Sequence, residues 1–186
     1  MEDQLSILEL FRITPAESTF DYKGKTVALK NCPALPKAAQ ESGIPIIVGG
    51  GGPKRTPNLA ARFANEFNLP FSSPTDFELQ ANRVRQACES ISREADSMVF
   101  SVAQVLCIGT TEKELERRSA KIGRDLSELR ENGVAGTLDE ARERIKSFQQ
   151  LGVSRMYFQV LDEDDLDHVS LLSELLDEFS EVEENA

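Results

Sequence analysis

The sequence has few residues of the kinds that form metal sites and disulfide frameworks. Its 186 residues include one histidine and three cysteines, Cys32, Cys88 and Cys107, with no Cys-x-x-Cys pair. This pattern lacks the ligand spacing of a zinc site and is typical of a reducing cytosol. Residues 162–167 carry several aspartates but not the glycine and terminal glutamate of an EF-hand loop. We therefore predict a cytoplasmic protein without a metal centre.

The chain also lacks an excess of positive charge and a long apolar run. It has 21 lysines and arginines against 32 acidic residues, a net charge of −11, so its surface repels nucleic acid and anionic membranes. The densest basic cluster, Arg117, Arg118, Lys121 and Arg124, is interleaved with acids and predicts i,i+4 pairs on a solvated helix face. The longest apolar stretch, 98–108, is too short to span a bilayer. We expect neither a nucleic acid nor a membrane as partner.

Four consecutive glycines, Gly49, Gly50, Gly51 and Gly52, are the most informative feature that is present. They follow the β-branched run Ile46-Ile-Val48 and precede Thr56-Pro57, a good N-cap and first-position pair for a helix. A strand, bare backbone and a helix N-terminus together suit a phosphate group, whose charge Lys54 and Arg55 could neutralise. The alternatives are a loop with spare glycines and solvated surface cations. The spacing fits neither a Walker loop nor the GxGxxG signature.

Strands and helices alternate four times from residue 45 onward, after a helix in the first dozen residues and a hairpin over 18–30. The predicted strands cover 45–48, 67–71, 98–108 and 153–161. Five helices are predicted in this part of the chain. The first covers 58–66, the second begins near residue 73, and the third extends from a capping box at Thr111 to Asn132. The fourth begins with a capping box at Thr137, and the fifth follows residue 161. This order predicts a parallel sheet covered by helices, in one domain with an acidic tail at 181–186.

The periodicity also predicts which helical residues face the core. The predicted inward positions are Leu5, Leu8 and Phe11 of the first helix; Phe77, Ala81, Val84, Cys88 and Ile91; Leu115, Ile122, Leu126 and Leu129; Ala141, Ile145 and Phe148; and Val169, Leu172, Leu176 and Phe179. On the strand before the last helix, Tyr157 and Phe158 are predicted to be core residues.

His168 is the single histidine, and it follows the last predicted strand. A catalytic role is one interpretation. The other is a histidine at the start of a helix among capping acids, and we favour it because no partner for catalysis is visible in the sequence. No Ser-His-Asp set can be assigned either, so the sequence leaves the catalytic residues unknown.

Five strings, read together, resemble the luciferase-like monooxygenase superfamily, and specifically its deazaflavin-dependent oxidoreductases. The match is collinear and runs from about the first helix to the last helix. The strings are Pro33-Ala-Leu-Pro-Lys37, Ile46-Ile-Val-Gly-Gly-Gly-Gly-Pro-Lys-Arg-Thr56, Leu59-Ala-Ala-Arg-Phe-Ala-Asn-Glu-Phe-Asn68, Arg130-Glu-Asn-Gly-Val-Ala-Gly-Thr137 and Leu151-Gly-Val-Ser-Arg-Met-Tyr-Phe-Gln-Val-Leu-Asp162.

The resemblance implies a partial (β/α)8 TIM-type barrel: the last four βα units over 45–180, with the first helix and an insertion hairpin over 1–44. It implies a cofactor that is the deazaflavin coenzyme F-420 or, alternatively, FMN. Gly49–Gly52, Arg55 and Thr56 would hold the cofactor phosphate. The implied activity is hydride transfer to, or monooxygenation of, an unknown organic small molecule.

The resemblance also implies that barrel strands one to four are missing. We therefore expect the chain to work with a complementing N-terminal fragment or as a homo-oligomer. The alternative from another functional class is a catalytically inactive half-barrel that self-associates and at most binds a phosphate-bearing ligand. A complete flavodoxin-like domain with an FMN loop is a third possibility.

Overall fold

The structure is a computed structural model that describes residues 1–40 and 43–180, with the side chains of 177–180 left aside. The predicted acidic tail at 181–186 and the side chain of Phe179 lie outside the described residues. The strands are β1 (Thr19–Lys23), β2 (Ala28–Pro33), β3 (Ile47–Gly49), β4 (Glu66–Pro70), β5 (Val99–Ile108), β6 (Val134–Gly136) and β7 (Arg155–Gln159). The helices are α1 (Glu2–Ile13), α2 (Arg55–Phe63), α3 (Pro74–Ser90), α4 (Glu112–Lys121), α5 (Leu126–Asn132), α6 (Leu138–Gln150) and α7 (Leu166–Ser180), and a short 3-10 helix covers Ala95–Ser97.

The chain divides into two compact units. The first unit comprises Met1–Phe67 and Arg83–Met98, and the second comprises Asn68–Asn82 and the chain from Val99 onward. In the first unit, β1 and β2 form the predicted hairpin, paired antiparallel from Thr19↔Pro33 to Lys23↔Ala28. The first helix is also confirmed.

Asp3 joins α1 to this hairpin in the first unit. Its carboxylate accepts hydrogen bonds from the Tyr22 hydroxyl at 3.0 Å and from both the backbone N–H and the hydroxyl of Thr26 at 2.7 Å. A Cβ atom at Gly24 would collide with the same carboxylate, so the turn must come close to the helix without a side chain. Because several donors converge on one buried charge, the helix and the hairpin are fixed to each other.

The second unit is built around β5, which has two parallel partners in succession. Residues Ser101 to Val105 pair with β7, and residues Leu106 to Ile108 pair with β6. On β4, the side-chain amide of Asn68 donates to the Ser101 hydroxyl at 2.9 Å. The predicted strands β5 and β7 are therefore present and parallel, but β6 was not predicted, because three residues are too few to show a periodicity.

The two faces of β5 pack into different clusters because side chains alternate along a strand. Leu106 and Ile108 pack with residues of α6 and α7, whereas Val105 and Cys107 pack with residues of α4 and α5. The first cluster contains Leu106, Ile108, Val134, Ala141, Ile145 and Leu175, and the second contains Val105, Cys107, Leu115 and Leu129. The predicted inward faces of α4, α5 and α6 are confirmed at these positions.

One predicted helix is wrong in its continuity. The sequence predicts a single helix from Thr111 to Asn132, but the chain breaks into α4 and α5. Gly123 has a φ of +66°, which ends α4, and Asp125 then caps α5 by accepting from the Glu128 N–H at 3.0 Å. Thr137 caps α6 in a complete capping box with Glu140, as predicted.

Five predicted core positions are wrong, because these side chains are exposed in the structure. They are Leu8, Ile91, Tyr157, Val169 and Leu176. On α7 the buried positions are instead His168 and Leu175, seven residues apart on one helical face. The inward stripe of α7 is therefore rotated by one residue from the predicted one, and it includes a polar side chain that the hydrophobic periodicity does not register.

Candidate functional site

The glycine run lies between β3 and α2 in the first unit, but the helix starts earlier than predicted. Thr56 was predicted to be the N-cap, and that prediction is wrong: α2 begins at Arg55 and Lys54 occupies the N-cap position. Pro57 is then the third residue of the helix, where its missing N–H costs no intrahelical bond. Thr56 consequently lies inside the first helical turn, with its hydroxyl directed back toward the loop.

The loop is shaped around the Thr56 hydroxyl. A Cβ atom at Gly52 would lie 2.9 Å from Thr56 Oγ1, and one at Gly50 would lie 3.7 Å from it. Gly50 has a φ of +125°, which favours glycine whatever the surrounding space. At Gly51, in contrast, a Cβ atom would meet nothing within 4 Å. Two of the four glycines are thus explained by local geometry, while Gly49 and Gly51 leave exposed backbone.

The N-terminus of α2 has no side-chain acceptor at its cap. Lysine carries only donors, and Lys54 makes no capping hydrogen bond. The first turn of α2 also contains no acidic residue, whereas α4 begins with Thr111 as its cap and with Glu112 in its first turn. The positive end of the α2 dipole therefore faces solvent beside bare glycine backbone.

Lys54 and Arg55 add positive charge next to this helix end. Both are exposed, and with Asn58 and Arg62 they border a cavity of about 560 Å³ in the first unit. Arg62 is paired with Glu2 at 3.0 Å. The lining of this cavity includes neither the glycines nor Thr56. Lys54 and Arg55 connect it in sequence to the loop, whose backbone amides and Thr56 hydroxyl are groups that can bind an anion.

His168 lies at the start of α7, the place that the non-catalytic interpretation expects. It is buried, and its Nε2 atom accepts a hydrogen bond from the backbone N–H of Ile108 at 3.1 Å. Burial, followed by the charge of Arg118, lowers the pKa of His168 below its ordinary value. The neutral imidazole therefore connects the start of α7 to the end of β5, which is a structural role.

Arg118 forms a buried ionic cluster that sequence reasoning missed. The prediction of a solvated helix face is wrong here, because the side chain of Arg118 is 3% exposed. It donates to Asp165 at 2.9 Å, to Glu114 at 2.9 Å and to the carbonyl of Ile108 at 2.6 Å. Arg118, and then Arg117, hold the pKa of Asp165 well below its usual range. No local pattern could reveal this cluster, because Asp165 is far from Arg118 in sequence.

The cysteines and acids of the described residues form no metal-binding group of three or more ligands. Cys88 and Cys107 are buried free thiols, as predicted, and burial raises the pKa of each. Asp165, one of the aspartates of residues 162–167, pairs with Arg117 and Arg118. Within residues 1–40 and 43–180, no helix is long and apolar enough to cross a membrane.

The fold is similar to the folds of several solved structures. An F420-dependent secondary alcohol dehydrogenase, solved with an F420-acetone adduct, superimposes with a TM-score of 0.73 at 12% identity, over 92% of this chain and 58% of that chain. The coenzyme F420-dependent tetrahydromethanopterin reductase from Methanopyrus kandleri superimposes with a TM-score of 0.69 at 17% identity, over 91% of this chain and 59% of that chain. The EDTA monooxygenase from Chelativorans sp. BNC1 superimposes with a TM-score of 0.65 at 18% identity, over 87% of this chain and 51% of that chain.

These similarities show the fold, and the chain spans between one half and three fifths of the length of these neighbours. The predicted fold class is confirmed: the chain has the α/β architecture of a partial (β/α)8 barrel, with parallel strands and alternating βα units. No curated protein matches the sequence. The model of the luciferase-like monooxygenase family matches residues 5–133, which is more than half of the chain, and the protein therefore belongs to the luciferase-like monooxygenase family.

Proposed function

We propose that the chain belongs to an oxidoreductase that binds the phosphate of coenzyme F-420, or alternatively of FMN, at the glycine loop. The observation that carries this proposal is the α2 N-terminus, which lacks an acceptor at its cap beside a loop shaped around Thr56. Membership of the luciferase-like family and the F420-dependent activities of two structural neighbours support it further. The substrate would be an organic small molecule that accepts a hydride or an oxygen atom.

The residues of the loop fit a phosphate group. The side-chain-free backbone of Gly49–Gly52 would lie against the phosphate, Thr56 would donate its hydroxyl, and Arg55 would supply charge. When bound, the cofactor supplies the electron chemistry, and the chain's own residues hold and orient it. A side chain at Gly52 would displace Thr56 from the loop.

Binding titrations with paired ligands test this proposal. FMN and riboflavin differ only by the phosphate, so Thr56→Val should weaken FMN binding about tenfold, the loss expected for one charge-assisted hydrogen bond, and leave riboflavin binding unchanged. Arg55→Ala should do the same, whereas Lys30→Ala, which removes an exposed charge on β2, should change neither. Coenzyme F-420 is titrated in parallel to decide between the two cofactors.

Two results would contradict the proposal. One is that the purified chain binds neither FMN nor coenzyme F-420. The other is that the Thr56→Val and Arg55→Ala variants bind FMN as tightly as the unchanged chain does. Either result would leave the glycine run as an ordinary surface loop.

A second candidate function is a catalytically inactive half-barrel that at most binds a phosphate-bearing ligand. The observation that favours it is His168: the chain's single histidine is occupied by the Ile108 N–H. Under this hypothesis the titrations give phosphate-dependent binding, but coenzyme F-420 is not reduced in the presence of any alcohol or aldehyde tested.

We also propose a cytoplasmic location, which the buried free thiols of Cys88 and Cys107 support.

A further inference from the structure

The first unit contains a cavity of about 560 Å³ between α1, α2 and the end of α3. We call it the α2 cavity. Its volume is in the range of about 300–1,000 Å³ that small-molecule sites have. Most of its lining comes from α2, where Arg55, Asn58 and Arg62 follow one another at helical spacing. Gly49–Gly52 and Thr56 do not belong to the lining, so the α2 cavity is a separate feature from the glycine loop.

Contacts on both sides hold the walls of the α2 cavity. On one side, the Arg62 guanidinium pairs with the Glu2 carboxylate of α1 at 3.0 Å and lies 4.7 Å from the centroid of the Phe63 ring. On the other side, Arg93, which follows α3, donates to the carbonyl of Ala61 at 2.9 Å. Because α1 and the segment after α3 are both held against α2, the concave shape exists before a ligand binds, which lowers the cost of binding.

Positive charge is in excess around the α2 cavity, although it is deficient in the chain as a whole. The lining contains three cationic residues, Lys54, Arg55 and Arg62, and one acid, Glu2, which is paired with Arg62. Within residues 1–40 and 43–180, neither Lys54 nor Arg55 has a carboxylate partner. In a chain with 32 acidic and 21 basic side chains, two uncompensated cations beside one cavity favour an anionic ligand.

The floor of the α2 cavity is apolar. Leu59 and Ala61 of α2 and Ala87 of α3 are buried there. Ile91, just after α3, also lines the cavity, but its side chain is 48% exposed. The periodicity of α3 predicts Ile91 to face the core, and the cavity is the place where this apolar side chain stays accessible. An apolar group bound in the cavity would remove it from water.

We propose that the α2 cavity binds an organic carboxylate whose apolar body has the size of an aromatic ring system. The carboxylate pairs with Lys54 and Arg55, and the body covers Ile91. An inorganic anion would leave Ile91 exposed, and an uncharged apolar molecule would leave both cations without a partner. This site is independent of the proposed function, and Arg55 is the one residue that both would use.

Binding of 2-naphthoate tests the proposal, because this probe combines a carboxylate with an aromatic body. Two control probes each carry one half of that chemistry: 2-naphthalenemethanol lacks the charge, and acetate lacks the body. The purified chain is titrated with no cofactor present while the methyl NMR signals of Ile91 and Ala87 are followed. The methyl signals of Leu8 report on the apolar cavity beside α1, a different place in the same unit.

Variants outside the glycine loop test the two halves of the site. Lys54→Ala should weaken 2-naphthoate binding about threefold, the loss expected for one exposed ion pair. Ile91→Gln should weaken it about fivefold by removing the apolar contact. Lys30→Ala, which removes an exposed charge on β2, is the matched control and should change nothing. FMN binding by Ile91→Gln is measured separately and should equal that of the unchanged chain, so that failure of either site is seen alone.

The expected result is a dissociation constant of about 1 mM or lower for 2-naphthoate, with chemical-shift changes at Ile91 and Ala87. Each control probe should bind at least about tenfold more weakly. Equal binding of 2-naphthoate and its alcohol would overturn the proposal. It would also be overturned by shift changes confined to Leu8, by the absence of any change at Ile91, or by unweakened binding in both Lys54→Ala and Ile91→Gln.

Discussion

The Nε2 atom of His168 accepts a hydrogen bond from the backbone N–H of Ile108, and this bond joins the start of α7 to the end of β5. An Nε2 atom that accepts must be unprotonated, so the imidazole carries its proton on Nδ1. Protonation of Nε2 would break the bond and place a second positive charge near Arg118, inside the fold. The second unit therefore contains a titratable connection between two of its elements.

This connection predicts a pH dependence of stability. Because the pKa of His168 is lower in the folded chain than its ordinary value of about 6.5, the unfolded chain binds a proton first as the pH falls. Stability from this group is complete above about pH 6.5 and decreases below it, toward the folded-state pKa. His168→Gln keeps an acceptor but does not titrate. Urea unfolding between pH 7.5 and 5 should show a steeper loss for the unchanged chain than for the variant, and equal slopes would refute the prediction.

Arg118 should contribute much more to stability than its sequence neighbour Arg117. Both donate to Asp165, but Arg118 is buried and Arg117 is largely exposed. Arg118→Met leaves Asp165 with two of its four hydrogen bonds, those from Arg117 and from the His168 N–H, and should lower the free energy of unfolding by about 3–5 kcal/mol. Arg117→Met should cost less than about 1 kcal/mol. Denaturant unfolding of the two variants measures the difference, and comparable losses would show that the cluster is not buried in solution.

Gly133 should be intolerant of a methyl group, although its φ is not in the left-handed region. A Cβ atom there would lie 2.7 Å from the carbonyl oxygen of Leu129 and 2.9 Å from that of Val105. Backbone atoms cannot rotate away, so Gly133→Ala should cost about 1–3 kcal/mol through overpacking. Gly51→Ala is the matched control, because its Cβ atom meets nothing within 4 Å, and it should change stability by less than about 0.5 kcal/mol. Thermal unfolding of both variants decides the point.

Asp3→Asn should loosen α1 from the β1–β2 hairpin. The donors at Thr26, above all its hydroxyl, hold the pKa of Asp3 well below its usual range. An amide cannot accept all of the hydrogen bonds that the carboxylate accepts, so the variant should melt at a lower temperature than Glu9→Gln, a change at an exposed acid of the same helix. The contribution of Asp3 is full above its unfolded pKa of about 3.9 and decreases as the pH falls below it. The melting temperatures of the two variants should converge at such low pH.

The sequence predicts the features whose causes are local. The Thr137 capping box, the break after Asn132 and the glycine loop all depend on residues within a few positions of one another, and all are present. The predicted start of α2 was wrong because a Thr-Pro pair is compatible with the first helical turn as well as with the N-cap and first position. For the candidate site, the sequence identified the residues of the loop but not the fit between Gly52 and Thr56, which requires coordinates.

Features with distant causes were not predictable. Arg118 and Glu114 suggest an ordinary surface pair, and only the folded chain brings Asp165 onto the same guanidinium. His168 is buried because β5 ends beneath it with an N–H that needs an acceptor. The exposed Leu8 is a different case: its periodicity is that of a core residue, but its side chain is 48% exposed.

The change of partner along β5 has a consequence for the order in which the chain folds. β6 is nearer to β5 in sequence than β7 is, so its three pairs close the shorter loop and should form first. Until β7 arrives, the stretch from Ser101 to Val105 has an unsatisfied edge in a largely apolar strand. A nascent or partly unfolded chain would therefore expose an aggregation-prone edge along the first half of β5 until β7 pairs with it.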